Sequence, residues 1–155
     1  MVRNEAILFV WLVLLLSPPL AFAQAMHDHK ANHTDTAADT EKYPSLPKPG
    51  EKVPLDADHY FTYGFDRPPK LGTVIVRVQV FSKAGQQDTS FTVQADADMP
   101  KMRGAHTTGF RDFKLSKRGD YLLPVTLVMP GEWEIRFLFS KDGAPVFRGS
   151  HVFSF

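Results

Sequence analysis

Short runs of alternating polar and apolar residues fill the chain from His59 onward, and they constrain its fold more than any other feature. The runs are rich in aromatic and β-branched residues and are separated by Gly, Pro and Asp. No stretch between them is long enough, or apolar at a period of 3.6 residues, to form a helix. This pattern predicts an all-β fold, an immunoglobulin-like antiparallel β-sandwich of about seven strands. The predicted strands are residues 59–65, 73–81, 89–95, 110–116, 121–129, 132–139 and 146–155.

The alternation also predicts which side chains are buried. In the run of residues 132–139, an apolar set that starts at Trp133 alternates with charged residues, so the apolar set is expected to face inward. Pro124 has no N–H to donate, so its strand is expected to lie at a sheet edge or to carry a bulge. The residues predicted to face inward are Trp133, Ile135, Phe137, Phe139, Val74, Val76, Val78, Val80, Phe91, Val93, Leu123, Val125, Leu127, Phe147, Phe153 and Phe155.

The chain has no cysteine and a net charge of +1. Disulfides, thiolate metal sites and cysteine nucleophiles are therefore excluded, and a packed core must stabilise the fold. A nearly neutral chain gives no electrostatic reason to expect nucleic acid or an anionic membrane as a partner. No Ser/His/Asp spacing, phosphate-binding glycine loop or pair of carboxylates stands out. The sequence predicts a binding protein and not an enzyme.

The N-terminal region has the three-part layout of a secretory signal peptide. Arg3 precedes an apolar run of residues 6–16, and Ser17-Pro18-Pro19 ends this run before Ala21-Phe22-Ala23. We expect cleavage after Ala23 and an exported protein, in the periplasm or cell envelope. The apolar run is shorter than the roughly 20 residues of a membrane-spanning helix. An uncleaved anchor is the alternative, and it would be the chain's one attachment to a membrane.

Composition divides the chain into a signal peptide of residues 1–23, a flexible tail of residues 24–58 and a β-sandwich domain of residues 59–155. The tail has few large apolar side chains, so it cannot bury enough surface to offset the entropy lost on ordering. It carries three histidines near its start, and imidazole-rich tracts bind Cu(II), Zn²⁺ or Ni²⁺. The alternative is a solvated spacer. The three histidines are His27, His29 and His33.

A loop after the third predicted strand contains Met99, Met102 and His106. Pro100 presets the backbone for a β-turn from Met99 to Met102, which would direct both thioethers toward one point. Thioether sulfur and imidazole suit Cu(I), whereas Ca²⁺ and Mg²⁺ prefer oxygen. The alternative is a turn without a metal, because methionine commonly fills irregular gaps.

A second turn, Met129-Pro130-Gly131, is expected to meet this loop. If each strand crosses the sandwich once, the connections after the first, third and fifth strands lie at the same end. Met129 then joins Met99, Met102 and His106 as a candidate copper ligand. His151 lies on the apolar face of the last strand, late in a strand that runs toward this end, and is a secondary candidate. Such a histidine is more often a rim residue with other partners.

Residues from about Lys70 to Phe153 resemble the YtkA-like domain, which also occurs in the periplasmic part of FixH-type proteins. The resemblance lies in "DMPKM" and in "GDYLLPVTLVMPGEWEIRF". These match a Met-Pro-x-Met loop, a Gly-x-Tyr strand start and a Met-Pro-Gly-x-Trp turn. The apolar run of residues 6–16 departs from FixH-type proteins, which keep a transmembrane anchor.

The resemblance implies an exported immunoglobulin-like sandwich in a family linked to copper handling and respiratory oxidase assembly. It implies that Met99, Met102 and Met129 are ligands. It also implies structural roles for Tyr121, Gly131 and Trp133. His106 departs from relatives that place Gly or His closer behind the second methionine.

Two hypotheses follow for the function. The first is a periplasmic protein that binds or delivers copper, with Cu(I) in the methionine loop, Cu(II) in the histidine tail, and a membrane oxidase or a copper-handling protein as partner. The second is a metal-free β-sandwich module that docks on a membrane or envelope complex.

Overall fold

The protein is an all-β sandwich of two antiparallel sheets, as the sequence predicts. The computed structural model describes residues 43–155, so the expected signal peptide and the tail as far as residue 42 lie outside the described residues. No helix among residues 43–155 is long and apolar enough to cross a membrane. The strands in this range are β1 Val53–Pro54, β2 His59–Phe65, β3 Gly72–Ser82, β4 Thr92–Asp98, β5 Arg111–Asp112, β6 Lys114–Leu115, β7 Tyr121–Leu127, β8 Glu132–Lys141 and β9 Ala144–Ser154, with a 3₁₀ turn at Pro100–Met102.

The strand order is β1-β2-β3-β7-β6 in the first sheet and β5-β4-β8-β9 in the second. All neighbouring strands pair antiparallel. Residues 110–116 were expected to form one strand, but they contribute β5 to the second sheet and β6 to the first. Phe113 lies between the two and is buried, and its N–H donates to the Val93 carbonyl. The chain changes sheets here while this side chain packs in the core.

The predicted inward face is confirmed. The predicted residues of β3, β4, β7 and β8, together with Phe91, are all at most 4 % exposed. Phe147, Phe153 and Phe155 are partly buried and pack against the same core. Their lower burial follows from their position at the outer strand of the second sheet, since an outer strand has fewer neighbours.

The packed domain begins earlier than the composition predicts. Tyr43, Leu46, Val53 and Leu55 are buried, although a flexible tail is expected as far as residue 58. Ser45 forms a parallel bridge to Ser150, so this segment extends the second sheet beyond β9. These apolar residues are isolated among prolines and charged residues, so no strand period indicates them.

Pro124 lies where a missing N–H does little harm. It pairs with Ile75 of β3, while β6 covers only Tyr121 and Leu122 on the other side of β7. Beyond Leu122, no strand among the described residues pairs with β7 on that side. The expectation of an edge position is therefore confirmed locally, and the proline protects an open sheet edge from further pairing.

Candidate functional site

Three loops meet at one end of the sandwich. The register of β2 with β3, and of β3 with β7, puts residues 66–71 and 128–131 at the same end of the first sheet. The pairing of Asp98 with Glu134 puts the loop of residues 99–110 at the corresponding end of the second sheet. We call this end, formed by residues 66–71, 99–110 and 128–131, the Met pole. The predicted alternation of the loops between the two ends is confirmed.

Met99 is the methionine that joins two of these loops. It directly follows β4, and its side chain is only 6 % exposed, within the core cluster. A Cβ placed on Gly131 would lie 3.0 Å from the Met99 methyl carbon, Cε. The Met99 side chain therefore packs against the turn that contains Met129, and Gly131 has no side chain that would occupy this space. Gly131 also has a φ of 138°, in the range that favours glycine.

The expected turn from Met99 to Met102 is present as a 3₁₀ turn. Pro100 is its first residue, and the Met102 N–H donates to the Met99 carbonyl at 2.9 Å. The two side chains lie in different surroundings, because Met99 is buried whereas Met102 is 44 % exposed. The turn thus presents one thioether to the core and the other to solvent, so the expected convergence of both thioethers on one point is not observed.

Asp98 fixes both ends of the turn that carries the two methionines. Its Oδ1 accepts the Met99 N–H and its Oδ2 accepts the Gly104 N–H, each at 2.8 Å. The carboxylate is 3 % exposed. Each oxygen thus satisfies a backbone donor that the loop would otherwise leave unpaired. Sequence reasoning did not identify Asp98, although an aspartate directly before a turn is a recognised signal.

Asp96 holds the far side of the same loop. Its Oδ1 accepts hydrogen bonds from the hydroxyls of Thr107 at 2.8 Å and Thr108 at 3.3 Å. Thr108 also returns the loop to β4, because its N–H donates to the Ala97 carbonyl. The loop of residues 99–110 is therefore pinned at Asp98 and again at Asp96.

Two cationic side chains of the loop pair with carboxylates of β8. The Arg103 guanidinium donates to Glu134, and Glu134 also accepts from Arg136 Nε at 3.2 Å. Lys101 pairs with Glu132 at 3.8 Å. These carboxylates are already engaged by cations, and those of Asp96 and Asp98 by backbone and hydroxyl donors.

His106 and Met129 come together around Trp133. The ring centroids of His106 and Trp133 are 6.3 Å apart, and the Trp133 Nε1–H donates to the Met129 carbonyl at 3.1 Å. Met129 is partly buried and packs against the core, as the strand parity predicts. His106 is also partly buried. One tryptophan therefore contacts both loops that carry candidate ligands.

His151 lies deeper and to one side of this group. It pairs in register with Ile135, and its ring contacts those of Tyr63, Phe65 and Phe153. Burial among these rings lowers the pKa of His151 below 6.5, so the neutral imidazole is favoured. These contacts describe an aromatic packing position between the sheets.

The donor set at the Met pole fits a soft cation. Met99, Met102, Met129 and His106 supply thioethers and an imidazole, which Cu(I) prefers. Among residues 43–155 there is no group of three or more His, Asp or Glu side chains that could hold a metal. His27, His29 and His33 lie outside the described residues.

The sequence pattern did not single out His59, which lies at the other end of the sandwich. His59 Nδ1 is 2.8 Å from Asp56 Oδ1, and His59 Nε2 is 3.1 Å from Asp88 Oδ2. Carboxylates only accept hydrogen bonds, so both contacts are hydrogen bonds only when the ring carries two protons. Lys141 approaches Asp88 as well, at 3.9 Å. The spacing of Asp88 from His59 gave no signal, because the fold alone brings these residues together.

No protein-family model matches the chain, and no curated protein matches it.

Proposed function

We propose that the chain is an exported copper-binding protein that holds Cu(I) at the Met pole and belongs to the YtkA-like proteins. Met99, Met102 and His106 are the principal ligands, and Met129 is the fourth. The observation that carries the proposal is the packing of the Met99 methyl group against Gly131, because it joins the two loops that hold all four donors.

The surroundings of the four donors support a soft ligand set. The nearby carboxylates are hydrogen-bonded or paired with cations. A hard cation would have to compete for these oxygens with their present partners. Cu(I) can instead bind sulfur and imidazole without disturbing them. The bound ion would be held in place, and delivery to a membrane oxidase or a copper-handling protein is the proposed use. The chain is proposed to be a binding protein and not an enzyme.

The decisive experiment is a titration of the mature protein with Cu(I) against a competing chelator. Substituting Met99→Leu and Met102→Leu together keeps the volume of both side chains but removes two sulfurs. We expect an affinity loss of at least about a hundredfold, since changes one shell beyond a metal already cost about 10–100-fold. A loss of only a fewfold would contradict the site.

Two controls sharpen the titration. Met26→Leu removes a thioether outside the Met pole and should leave the affinity of the Met-pole site unchanged. A variant lacking residues 24–42 removes His27, His29 and His33 and separates Cu(II) binding by the tail from Cu(I) binding by the domain. The mass of the mature protein would show whether cleavage follows Ala23 or the N-terminal apolar run is kept as an anchor.

Exposed apolar side chains at the Met pole favour a second candidate function. Leu71 and Val128 are each 58 % exposed, and the pairing of Gly72 with Leu127 makes them neighbours at the end of the first sheet. Exposed apolar side chains at loop tips are typical of docking surfaces. A metal-free module that docks on an envelope complex would use them. Substituting both with Ser should abolish complex formation in that case, whereas Cu(I) affinity should stay unchanged if the copper proposal holds.

A further inference from the structure

The methionines at the Met pole differ in their access to solvent. Met102 is 44 % exposed, Met99 is 6 % exposed, and Met129 is partly buried against the core. An oxidant dissolved in water reaches a thioether only where solvent does. The three sulfurs are therefore expected to differ in reactivity, although they are chemically the same.

We propose that Met102 is a peroxide-sensitive modification site that disarms the Met pole while the fold stays intact. In the reaction, a lone pair of the thioether sulfur attacks one oxygen of hydrogen peroxide. The S–O bond forms as the O–O bond breaks, and the hydroxide that leaves takes the proton of the new S–OH group, which gives the sulfoxide and water. Sulfur is oxidised by two electrons to the sulfoxide, and the peroxide is reduced by two.

The packing of Met99 explains why oxidation stops at Met102. The Met99 side chain lies in the core cluster, with its methyl carbon against Gly131. An added oxygen there would need space and a hydrogen-bond donor within the core. The N–H groups of Met99 and Gly104 are already used, because Asp98 accepts from both.

The backbone around Met102 does not depend on its side chain. The Met102 N–H donates to the Met99 carbonyl, and the Ala105 N–H donates to the Met102 carbonyl. The buried Asp98 carboxylate closes the turn by accepting the Gly104 N–H. A sulfoxide at Met102 would point into solvent and leave these bonds in place. The modification therefore changes the ligand without unfolding the loop.

The effect on metal binding rests on the proposed function. A sulfoxide presents a hard oxygen and no longer a soft thioether, so oxidation weakens a Cu(I) site. Reduction of the sulfoxide by a methionine sulfoxide reductase would restore the site.

The order of oxidation is tested on the metal-free protein. The protein is exposed to hydrogen peroxide, and sulfoxide at each methionine is followed over time by peptide mass spectrometry. We expect Met102 to react at least about tenfold faster than Met99 and Met129, because access to solvent governs the rate. Rates for Met99 within about twofold of Met102 in the folded protein would overturn the proposal.

The same protein in urea is the control for intrinsic reactivity, and there the three methionines should react at similar rates. The intensity of Trp133 fluorescence and the circular dichroism should stay native after oxidation at Met102 alone. Loss of the native signal at this stage would also overturn the proposal, since the modification would then act by unfolding.

The link to copper is tested separately. Protein oxidised only at Met102 should bind Cu(I) at least about tenfold more weakly than unoxidised protein, since a ligand has been replaced. Equal affinity would overturn the disarming role. If unoxidised protein binds no Cu(I), the proposed function fails, whereas the order of oxidation is still decided by the metal-free experiment.

Discussion

The two ends of the sandwich hold their histidines in opposite ways. At the Met pole, the one ring contact of His106 among residues 43–155 is with Trp133. At the other end, His59 lies between the carboxylates of Asp56 and Asp88. A histidine whose two nitrogens both face carboxylates has no nitrogen left for a metal, whereas one that lies beside an aromatic ring keeps its donor. Residue type alone therefore does not identify a ligand.

The carboxylates differ between the two ends in the same way. Asp56 and Asp88 contact the two ring nitrogens of His59, and Asp88 also pairs with Lys141. Asp98 instead binds two backbone N–H groups and shapes a loop. The first arrangement stabilises the fold, and the second positions thioethers. The comparison makes distinct predictions for substitutions at each end.

The largest effect is expected from Asp98→Ala at the Met pole. It leaves the N–H groups of Met99 and Gly104 without an acceptor, which should lower the free energy of unfolding by about 3 kcal/mol. Urea denaturation would measure this. Asp58→Ala, at an exposed aspartate of the other end, is the control and should change stability by less than about 0.5 kcal/mol. Equal effects of the two substitutions would refute the role of Asp98.

The next effect is expected from His59→Gln at the other end. Glutamine has one side-chain nitrogen and cannot contact both carboxylates as the two ring nitrogens do, so the substitution should lower the free energy of unfolding by about 1 kcal/mol, a value discounted for partial exposure. His106→Gln makes the same change at the Met pole and should cost less than about 0.5 kcal/mol. It should instead weaken Cu(I) binding. If His106→Gln destabilised the protein more than His59→Gln, the two roles would be reversed.

Acid should affect the fold in two separate pH windows. Burial lowers the pKa of His151 below 6.5, so the unfolded chain takes up this proton first. The stability that His151 contributes is therefore present above pH 6.5 and is lost as the pH falls below it. Unfolding measured across this range should show a shallower pH slope in His151→Phe. An identical slope would contradict the desolvation of this ring.

The second window belongs to the other end. The Ser90 backbone N–H lowers the pKa of Asp88, with burial opposing it and the charges of Lys141 and His59 helping. Burial raises the pKa of Asp56, but hydrogen bonds from Asp58 and His59 outweigh it, and the net shift is downward. Their contribution is present above pH 3.8 and is lost as the pH falls below it. In Asp88→Asn, the free energy of unfolding, measured by urea denaturation, should fall less as the pH drops below 3.8.

The smallest effect on stability is expected from Met102→Leu. The side chain is exposed and the turn is held by backbone bonds, so the free energy of unfolding should change by less than about 0.5 kcal/mol. Thermal denaturation would measure this. Met99→Leu tests the contrast within one turn. Because Met99 is buried, this substitution should lower the free energy of unfolding by more, up to about 1.5 kcal/mol. A larger loss from Met102→Leu would show that its side chain packs where we describe it as exposed.

The fold was accessible from the sequence because alternation along a strand is a local property. Trp133 and its partners on β8, and the valines of β3, are buried as their parity predicts. The sequence also predicted that the two methionine loops lie at one end, because the chain reverses direction at each strand. The early start of the domain did not, because Tyr43 and Leu46 lack any periodic context.

The candidate site was accessible only in part. Met99, Met102 and Met129 could be named from their turns, but their different burial depends on Gly131 and the core. The hydrogen bonds of Asp98 and the contacts of His59 with two carboxylates depend on residues that only the fold brings together. The separation of His59 and Asp88 in the sequence does not predict their contact. They meet because the fold brings β2 beside the connection after β3.

The most direct test of the Met pole as a copper site is X-ray absorption at the copper edge of the Cu(I)-loaded protein lacking residues 24–42. Removing these residues eliminates the tail histidines as ligands. The account predicts a first shell dominated by sulfur with a nitrogen contribution, and loss of most of the sulfur signal in the Met99→Leu, Met102→Leu protein. A first shell of nitrogen and oxygen alone would contradict it.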